Sequence, residues 1–366
     1  MVRRGLLFTL LSGLLLAPGP LAAQSDSPFG INIHAPAKER LPYLLDQVAG
    51  AGIGWVRIDF VWAAVEPEPG VERWQVYDEI VAAARARGLR VLALIAYTPA
   101  WATDGPAISG VPRQASDWSD FCYRAARRYR TDISHWEIWN EPNLTRFWAG
   151  GRADFIEKIL RPAAAAIRSA NPDARIGGPA LAHHATEGRD WHGWLLDVLR
   201  AAGGEFDFLT HHLYDLEDPA GVLDQLAGET PFGAEPARWG ETAPSLREVL
   251  AQAGFDRPVW LTETGWLTTR LDESRQALHY QRFLELWFAG GEAPPWPDKV
   301  FFYELHDDPD PDVPKYGLLR VSGRQKPAYR TLRDFIAGHA PGSGEEAPPA
   351  DPRDDREGRT GERPPE

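Results

Sequence analysis

Two apolar runs of this 366-residue chain each end in a glutamate, and these glutamates are the residues best placed to carry out chemistry. The first run covers residues 133–143 and carries Glu141, directly before Pro142. The second covers residues 257–266 and carries Glu263. Because proline cannot donate to a sheet ladder, strand pairing must end at Pro142, so Glu141 is expected at the carboxyl tip of a strand.

The surroundings of Glu141 suggest more than a solvated loop acid, which is what a lone exposed glutamate usually is. Alternation along the strand is expected to place Asn140 and Glu141 on opposite faces. The apolar rings of Trp136, Trp139 and Trp148 are close in sequence and would partly desolvate the carboxyl group. Desolvation disfavours the charged form, so a raised pKa is expected for Glu141.

Glycoside hydrolysis requires a pair of carboxyl groups, and two strand tips could supply them here. One group must be protonated to assist departure of the leaving oxygen, and the other must be ionised to attack the anomeric carbon. Retaining enzymes hold the two carboxyl groups about 5 Å apart, and inverting enzymes hold them about 6.5–9.5 Å apart. The fold therefore has to bring Glu141 and Glu263 together.

Eight apolar, strand-like runs alternate with amphipathic helical stretches between about residue 29 and residue 336. This alternation is typical of βαβ units around a parallel sheet. We predict an α/β fold, a single-domain (β/α)8 TIM barrel whose site lies at the carboxyl ends of the strands. An open doubly wound sheet ranks lower, because no glycine-rich phosphate loop follows an early strand. Glu141 and Glu263 end the fourth and seventh runs and should meet across the barrel mouth.

The motifs around both glutamates resemble those of clan A glycoside hydrolases, which are retaining (β/α)8 enzymes. The matching segments are Trp-Glu-Ile-Trp-Asn-Glu-Pro-Asn at 136–143 and Thr-Glu-Thr-Gly-Trp at 262–266. The segments at 30–34, 97–102 and 302–305 look more like family 39 and its relatives than like the cellulases of family 5. Family 39 includes β-xylosidases, α-L-iduronidases and endoglycosidases of bacterial exopolysaccharides.

This resemblance implies a role for each matched residue. Glu141 would be the general acid/base and Glu263 the nucleophile. Arg57 would hold the nucleophile, and the alternative is a partner for Asp59 or another acid. Asn140 would bond the sugar 2-hydroxyl. The sixth strand would supply a His-x-Tyr pair whose tyrosine hydroxyl bonds the nucleophile: His212 and Tyr214.

Five aromatic residues near the predicted strand ends are candidates for the walls of the sugar subsites, with plain packing as the alternative for each. They are His34, Trp101, Trp148, Trp266 and Tyr303. Phe302 stands where many clan members carry a tryptophan on strand eight. Tyr303 and its neighbours would then have to supply that surface differently.

Composition excludes several other classes of function. The net charge of −13 and the pI of about 5.3 argue against nucleic acid or an anionic membrane as a partner. One cysteine, Cys122, cannot form an intramolecular disulfide. Within each histidine pair, 183–184 and 211–212, the two adjacent side chains would point to opposite faces of a strand, so neither pair could chelate a metal ion alone. The acidic stretch 307–312 lacks the spacing of a calcium loop. We therefore predict no metal and no cofactor.

The two ends of the chain differ from its middle. Residues 1–23 resemble a secretory signal, with two early arginines, an apolar core at 6–17 and small residues at 21–23. The alternative is an uncleaved membrane anchor. Residues 338–366 are rich in proline, glycine and charge and are expected to be disordered. The catalytic domain would be 24–337, in a periplasmic or secreted protein exported by the general or the twin-arginine route.

The combined prediction is a monomeric retaining glycoside hydrolase that cleaves a β-linked oligo- or polysaccharide through a covalent glycosyl-enzyme. A bacterial exopolysaccharide is one candidate substrate, and the sugar, the linkage and exo or endo action stay open. Two alternatives use the same barrel. One is a carbohydrate-binding protein without turnover, and the other is a transglycosylase that remodels glycans.

Overall fold

The structure, a computed structural model, describes residues 27–34, 39–183, 190–228, 244–289 and 296–339. The predicted signal segment 1–23, His184 and all but the first two residues of the predicted tail lie outside these ranges. Within the described ranges, no helix is both long enough and apolar enough to cross a membrane.

Eight parallel strands pair in chain order, and the last pairs with the first, so the sheet closes into a barrel. The predicted (β/α)8 barrel is confirmed, and the open sheet is excluded because no strand edge is left unpaired. The strands are β1 Phe29–Asn32, β2 Trp55–Val61, β3 Arg90–Ala96, β4 His135–Ile138, β5 Arg175–Ala182, β6 Phe208–His212, β7 Val259–Thr264 and β8 Lys299–Phe302.

Helices follow every strand and cover the outside of the barrel with their apolar faces. They are α1 Leu41–Gly50, α2 Trp62–Val65, α3 Gln75–Arg85, α4 Ala115–Arg128, α5 Arg152–Asp154, α6 Arg161–Ala170, α7 Trp191–Ala202, α8 Pro219–Ala227, α9 Leu246–Ala253, α10 Glu273–Phe288 and α11 Pro327–Gly338. A π-helical stretch, Phe155–Leu160, joins α5 to α6. Ser245 caps α9 in a capping box with Glu248.

The interior of the barrel changes character along its axis. At the amino ends of the strands, a separate apolar cluster fills the barrel: Trp55, Leu92, Phe208, Trp260 and Phe301. The ammonium of Lys299 lies 5.3 and 5.4 Å from the ring centroids of Trp55 and Trp260. At the carboxyl ends, the buried inward side chains are polar instead, among them Asn32, Arg57, Glu137 and Thr262. The polar half forms the floor of the mouth.

The alternation of side chains breaks down at the ends of β4 and β7, where the two glutamates lie. After Ile138, the backbone of Trp139 (φ 70°) and Glu141 (φ 41°) enters the left-handed region, which non-glycine residues rarely adopt. Asn140 and Glu141 consequently both face the mouth, so the prediction of opposite faces is wrong. On β7, the register shifts between Leu261 and Thr264, and this bulge turns Glu263 inward next to inward-facing Thr262.

The loop after β8 is fixed against the end of β7. A Cβ on Gly265 would lie 2.2 Å from the carbonyl oxygen of Tyr303, so this close approach requires glycine. Asp307 accepts from Lys326 over 2.8 Å and from the backbone N–H of Gly317 over 2.9 Å. Asp307 is buried, whereas Asp310 and Asp312 of the same acidic stretch are exposed. The bonds of Asp307 to Lys326 and to the backbone of Gly317 fix the segment that carries Tyr316.

Candidate active site

Arg57, on β2, is the central cation of the mouth and has almost no exposed surface. Its Nε donates to Glu137 over 2.5 Å, and its Nη1 donates to Glu263 over 2.7 Å and to Asn32 over 2.8 Å. Its Nη2 donates to the amide oxygen of Asn140 over 3.2 Å. Burial lowers the pKa of Arg57, but the negative charges of Glu137 and Glu263 raise it by more than burial lowers it. The guanidinium therefore stays charged.

Glu137 forms a buried layer beneath the two candidate catalytic acids. Its second carboxylate oxygen accepts from the hydroxyl of Thr262 over 2.8 Å, and its side chain has no exposed surface. Asn32 donates from its amide nitrogen to the backbone carbonyls of Thr262 and Phe302, over 3.0 and 3.2 Å. Neither Glu137 nor Asn32 was predicted as a site residue, although inward alternation on β4 could have indicated Glu137.

Both carboxylate oxygens of Glu263 have a donor. Arg57 bonds Oε1, and the hydroxyl of Tyr214 donates to Oε2 over 2.8 Å. Burial and the neighbouring Glu263 raise the pKa of Tyr214 well above its usual value, so the phenol keeps its proton and remains a donor. These two bonds fix the position and orientation of the carboxylate, as a nucleophile requires.

The pKa of Glu141 is lowered, whereas the sequence predicts a raised pKa. Burial raises the pKa of its carboxyl group, but the bond to His212 and the charge of Arg146 outweigh burial and lower it below the ordinary value. Nδ1 of His212 lies 3.0 Å from Oε1 of Glu141, and Nη2 of Arg146 lies 3.3 Å from Oε2. The expected raised pKa of Glu141 is wrong, because no sequence pattern indicated that His212 and Arg146 would contact its carboxylate.

His212 connects the two glutamates. Its Nδ1 lies 3.0 Å from Glu141 and 3.6 Å from Glu263, while its Nε2 lies 3.3 Å from Nη2 of Arg57. Because a guanidinium only donates, Nε2 must accept, and the proton of the neutral ring is on Nδ1, towards Glu141. Burial lowers the pKa of His212, but Glu263 and the bond to Glu141 raise it above the ordinary value.

The two candidate catalytic carboxyl groups lie close enough for a retaining mechanism. One oxygen of Glu141, one of Glu263 and one ring nitrogen of His212 all lie within 4.8 Å of one another. This distance fits the spacing of about 5 Å in retaining glycosidases and is well short of the inverting range. Within the part of the chain that the structure describes, these three groups are also the one cluster that could hold a metal ion, although the adjacent charge of Arg57 opposes a cation there.

Opposite Glu141, three tyrosines form an aromatic wall beside Glu263. The ring of Tyr214 lies 6.3 Å from that of Tyr303 and 5.6 Å from that of Tyr316, and the latter two lie 5.5 Å apart. Phe302, in contrast, is fully buried and packs outward on Tyr280. Tyr303 therefore supplies the surface at the end of β8, and Tyr316, which was not predicted as a site residue, completes the wall.

His34 lies at the same side of the mouth, between two acids. Its Nδ1 lies 3.6 Å from Asp59, and its Nε2 lies 3.2 Å from Glu304 and 3.1 Å from the hydroxyl of Tyr303. Partial burial lowers the pKa of His34, but the bonds to Asp59 and Glu304 raise it to about 10. The three charged groups together carry one net negative charge at neutral pH.

Two of the predicted wall residues are not available to a sugar. Trp148 and Trp266 have no exposed surface: Trp148 packs edge-on against Trp139, and Trp266 donates its indole N–H to the carbonyl of Asp215. The wall prediction is wrong for both, because they fill the core behind the mouth. Trp101 keeps part of its surface exposed, and its indole N–H donates to the carbonyl of Glu66 over 2.7 Å.

Two family models match parts of the chain. The model described as glycosyl hydrolases family 39 matches residues 108–281, a span that includes both glutamates. The model described as cellulase, glycosyl hydrolase family 5, matches residues 22–192 and includes Glu141 alone of the two.

Curated relatives and solved structures agree with these matches. A β-xylosidase of Caldicellulosiruptor saccharolyticus is 27% identical over 236 residues, covering 61% of this chain and 46% of the relative. A β-xylosidase of Geobacillus stearothermophilus is 24% identical over 248 residues, covering 62% of this chain and 47% of the relative. The chain therefore spans less than half the length of these curated relatives.

The solved structures share the fold at low identity. A family 39 glycoside hydrolase from Bacteroides cellulosilyticus WH2 gives a TM-score of 0.67 at 22% identity, covering 85% of this chain and 63% of that one. A monomeric β-xylosidase from Caulobacter crescentus CB15 gives 0.64 at 19% identity, covering 85% and 68%. The family models and the relatives therefore make this chain similar to O-glycosyl hydrolases of family 39 and of family 5, and the solved structures share its (β/α)8 fold.

Proposed function

We propose that this chain is a retaining β-glycosidase in which Glu263 is the nucleophile and Glu141 the general acid/base. The observation that carries the proposal is that one carboxylate oxygen of Glu141 lies within 4.8 Å of one of Glu263. The different surroundings of the two acids support the assignment of roles. Glu263 is held by Arg57 and Tyr214, whereas Glu141 lies beside a titratable histidine and an exposed arginine.

In the first step, the ionised Glu263 attacks the anomeric carbon while Glu141 gives its proton to the leaving oxygen. The glycosidic bond breaks, and an ester forms between the sugar and Glu263. Because His212 and Arg146 lower the pKa of Glu141, substrate binding must raise this pKa before the proton can be given. A sugar in the cleft excludes water, and this desolvation raises the pKa of a carboxyl group.

In the second step, the ionised Glu141 takes a proton from water, and the resulting hydroxide attacks the anomeric carbon and releases Glu263. The two displacements restore the original anomeric configuration. Asn140 is held through its amide oxygen by Arg57, so its amide nitrogen is directed away from the floor and is available to the sugar 2-hydroxyl. This bond would strengthen towards the transition state.

The substrate class that we propose is a β-xyloside or a related β-linked oligo- or polysaccharide, including bacterial exopolysaccharides. The names of the curated relatives support xylose as the first sugar to test. Export to the periplasm or the medium also remains a proposal, based on the signal-like residues 1–23.

The direct test is the stereochemistry of hydrolysis. Proton NMR of 4-nitrophenyl β-D-xyloside turnover should show β-xylose first, followed by slow mutarotation to the α anomer. Initial release of α-xylose would contradict the retaining assignment. Transfer of the glycosyl group to an added sugar in preference to water would instead favour the transglycosylase, and binding without turnover would favour the carbohydrate-binding protein.

Glu141→Ala should lower kcat/KM for xylosides with poor leaving groups by about 10²–10⁴-fold, the usual contribution of a general acid. The loss should be much smaller for 2,4-dinitrophenyl β-D-xyloside, because that leaving group needs no proton. The measurement is a plot of log kcat/KM against leaving-group pKa, which should be steeper for the variant than for the wild type. Parallel plots would remove the acid role from Glu141.

A further inference from the structure

Arg146 lies on the loop after β4 and reaches the open side of Glu141. Its side chain is 66% exposed, and its guanidinium carbon lies 4.6 Å from the ring centroid of Phe147. Among the described residues, its one ion pair is the 3.3 Å contact with Oε2 of Glu141. An exposed pair of this length contributes little to stability, so it does not account for a cation at this place.

The position of Arg146 beside the proposed general acid indicates which part of a bound substrate it would contact. A general acid points its proton at the leaving oxygen, so groups on the open side of Glu141 border the leaving-group sugar. Oε1 of Glu141 faces the buried His212, which leaves Oε2 as the oxygen directed into the cleft. Because Arg146 contacts Oε2, its guanidinium lies at the leaving-group subsite.

The backbone under Arg146 is held in place on both sides. The side chain of Asn143 donates to the carbonyl of Ala182 over 2.8 Å and accepts from its N–H over 3.0 Å. The indole N–H of Trp139 donates to the carbonyl of Phe147 over 3.0 Å. Only the side chain of Arg146 therefore has to move when a ligand enters, which lowers the entropic cost of binding.

The opposite side of the mouth has the opposite charge. Asp59 and Glu304 flank the protonated His34 and leave one net negative charge beside the tyrosine wall. That side would repel an acidic sugar and offers acceptors to the hydroxyls of a neutral one. The leaving-group side offers a guanidinium stacked on an aromatic ring, a group suited to bidentate binding of a carboxylate.

We propose that the enzyme cleaves the bond between a neutral glycone and a leaving-group sugar that carries a carboxylate, a uronic acid bound by Arg146. The inference rests on the proposed glycosidase function and specifies its substrate. The sugar carboxylate replaces Glu141 as the partner of Arg146. Glu141 thereby loses one of the charges that hold it ionised and becomes ready to receive the proton it must donate.

The test uses two aryl xylosides that differ only in charge, 4-carboxyphenyl and 4-carbamoylphenyl β-D-xyloside. The ratio of their kcat/KM values, acidic over neutral, should fall about tenfold or more in Arg146→Gln and less in Arg146→Lys. The control Arg200→Gln, on the exposed end of α7, makes the same change in net charge and should leave the ratio unchanged. Comparing ratios cancels the different reactivities of the two phenols. An unchanged ratio in Arg146→Gln would mean that Arg146 only positions Glu141 and would overturn the proposal.

A binding measurement separates this inference from the proposed function. If the wild type hydrolyses neither xyloside, the choice of glycone or the activity itself is wrong, and the charge preference is then decided without turnover. Ligand-observed NMR should detect methyl β-D-glucuronide on the wild type more strongly than methyl β-D-glucoside, and Arg146→Gln should abolish the difference. Equal binding of both sugars by the wild type would contradict the inference.

Discussion

Replacing Glu263 with alanine should lower kcat for aryl β-xylosides by about 10⁴-fold or more, the scale expected for loss of a covalent nucleophile. The fold should survive, because Glu263 keeps a small exposed fraction and its removal leaves Arg57 paired with Glu137. Circular dichroism and thermal unfolding should therefore stay close to those of the wild type, so the loss of rate reports on chemistry.

Azide distinguishes the nucleophile from the acid/base. In Glu263→Ala, azide fills the space of the carboxylate and attacks an activated xyloside directly, so the product is the xylosyl azide of inverted configuration. In Glu141→Ala, azide attacks the glycosyl-enzyme, so the product has retained configuration. Identifying the two azides by NMR tests both roles in one experiment.

Glu285→Ala is the matched control, since Glu285 is an exposed glutamate on α10, the helix that follows β7. It should show wild-type kcat and no azide product. Wild-type hydrolysis by Glu263→Ala, or a retained azide from it, would remove Glu263 from the nucleophile role.

The barrel could be predicted from the sequence because its strands are buried on both faces and therefore read as continuous apolar runs. Amphipathic helices lie between the runs, and the strand–helix unit occurs eight times. Eight such units predict a closed barrel. The strand before Glu141 shows what an apolar pattern cannot predict. It is four residues long, His135–Ile138, and the site residues follow its end in a backbone conformation that no apolar pattern encodes.

The directions in which the site residues point could not be predicted for the same reason. Strict alternation would turn either Asn140 or Glu141 away from the mouth, and the left-handed backbone at Trp139 and Glu141 removes that conflict. On β7, a bulge achieves the same result for Thr262 and Glu263. Such local departures depend on contacts between distant strands, which a pattern of neighbouring residues does not contain.

Tryptophans near a strand end illustrate a second limit. Trp101, Trp148 and Trp266 look alike in sequence, since each follows a predicted strand. Burial separates them: Trp148 and Trp266 lie wholly inside, while Trp101 keeps an exposed edge. Tyr316 went unnoticed because it lies in a loop far from any strand, and the buried pair of Asp307 and Lys326 brings it to the site.

Arg57→Met should be the most destabilising change in the mouth. It leaves Glu137 and Glu263 without their shared cation, and breaking a buried ion pair from one side costs about 3–5 kcal/mol. Urea unfolding followed by tryptophan fluorescence measures this loss directly, since the chain has 15 tryptophans. Arg57→Lys should recover part of the stability but little activity, because an ammonium cannot donate to Glu137, Glu263 and Asn140 in the same fixed geometry.

The double variant Arg57→Met/Glu137→Gln separates the structural role of Arg57 from its catalytic role. Neutralising Glu137 removes one of the two unpaired buried charges, so the double variant should be at least about 1 kcal/mol more stable than Arg57→Met alone. Its activity should not recover, because Glu263 still lacks the donor to its Oε1 and Asn140 still lacks the bond that orients its amide. If activity returned along with stability, Arg57 would act only through the fold. If the double variant were less stable than Arg57→Met, Glu137 would draw its stabilisation from Thr262 rather than from the arginine.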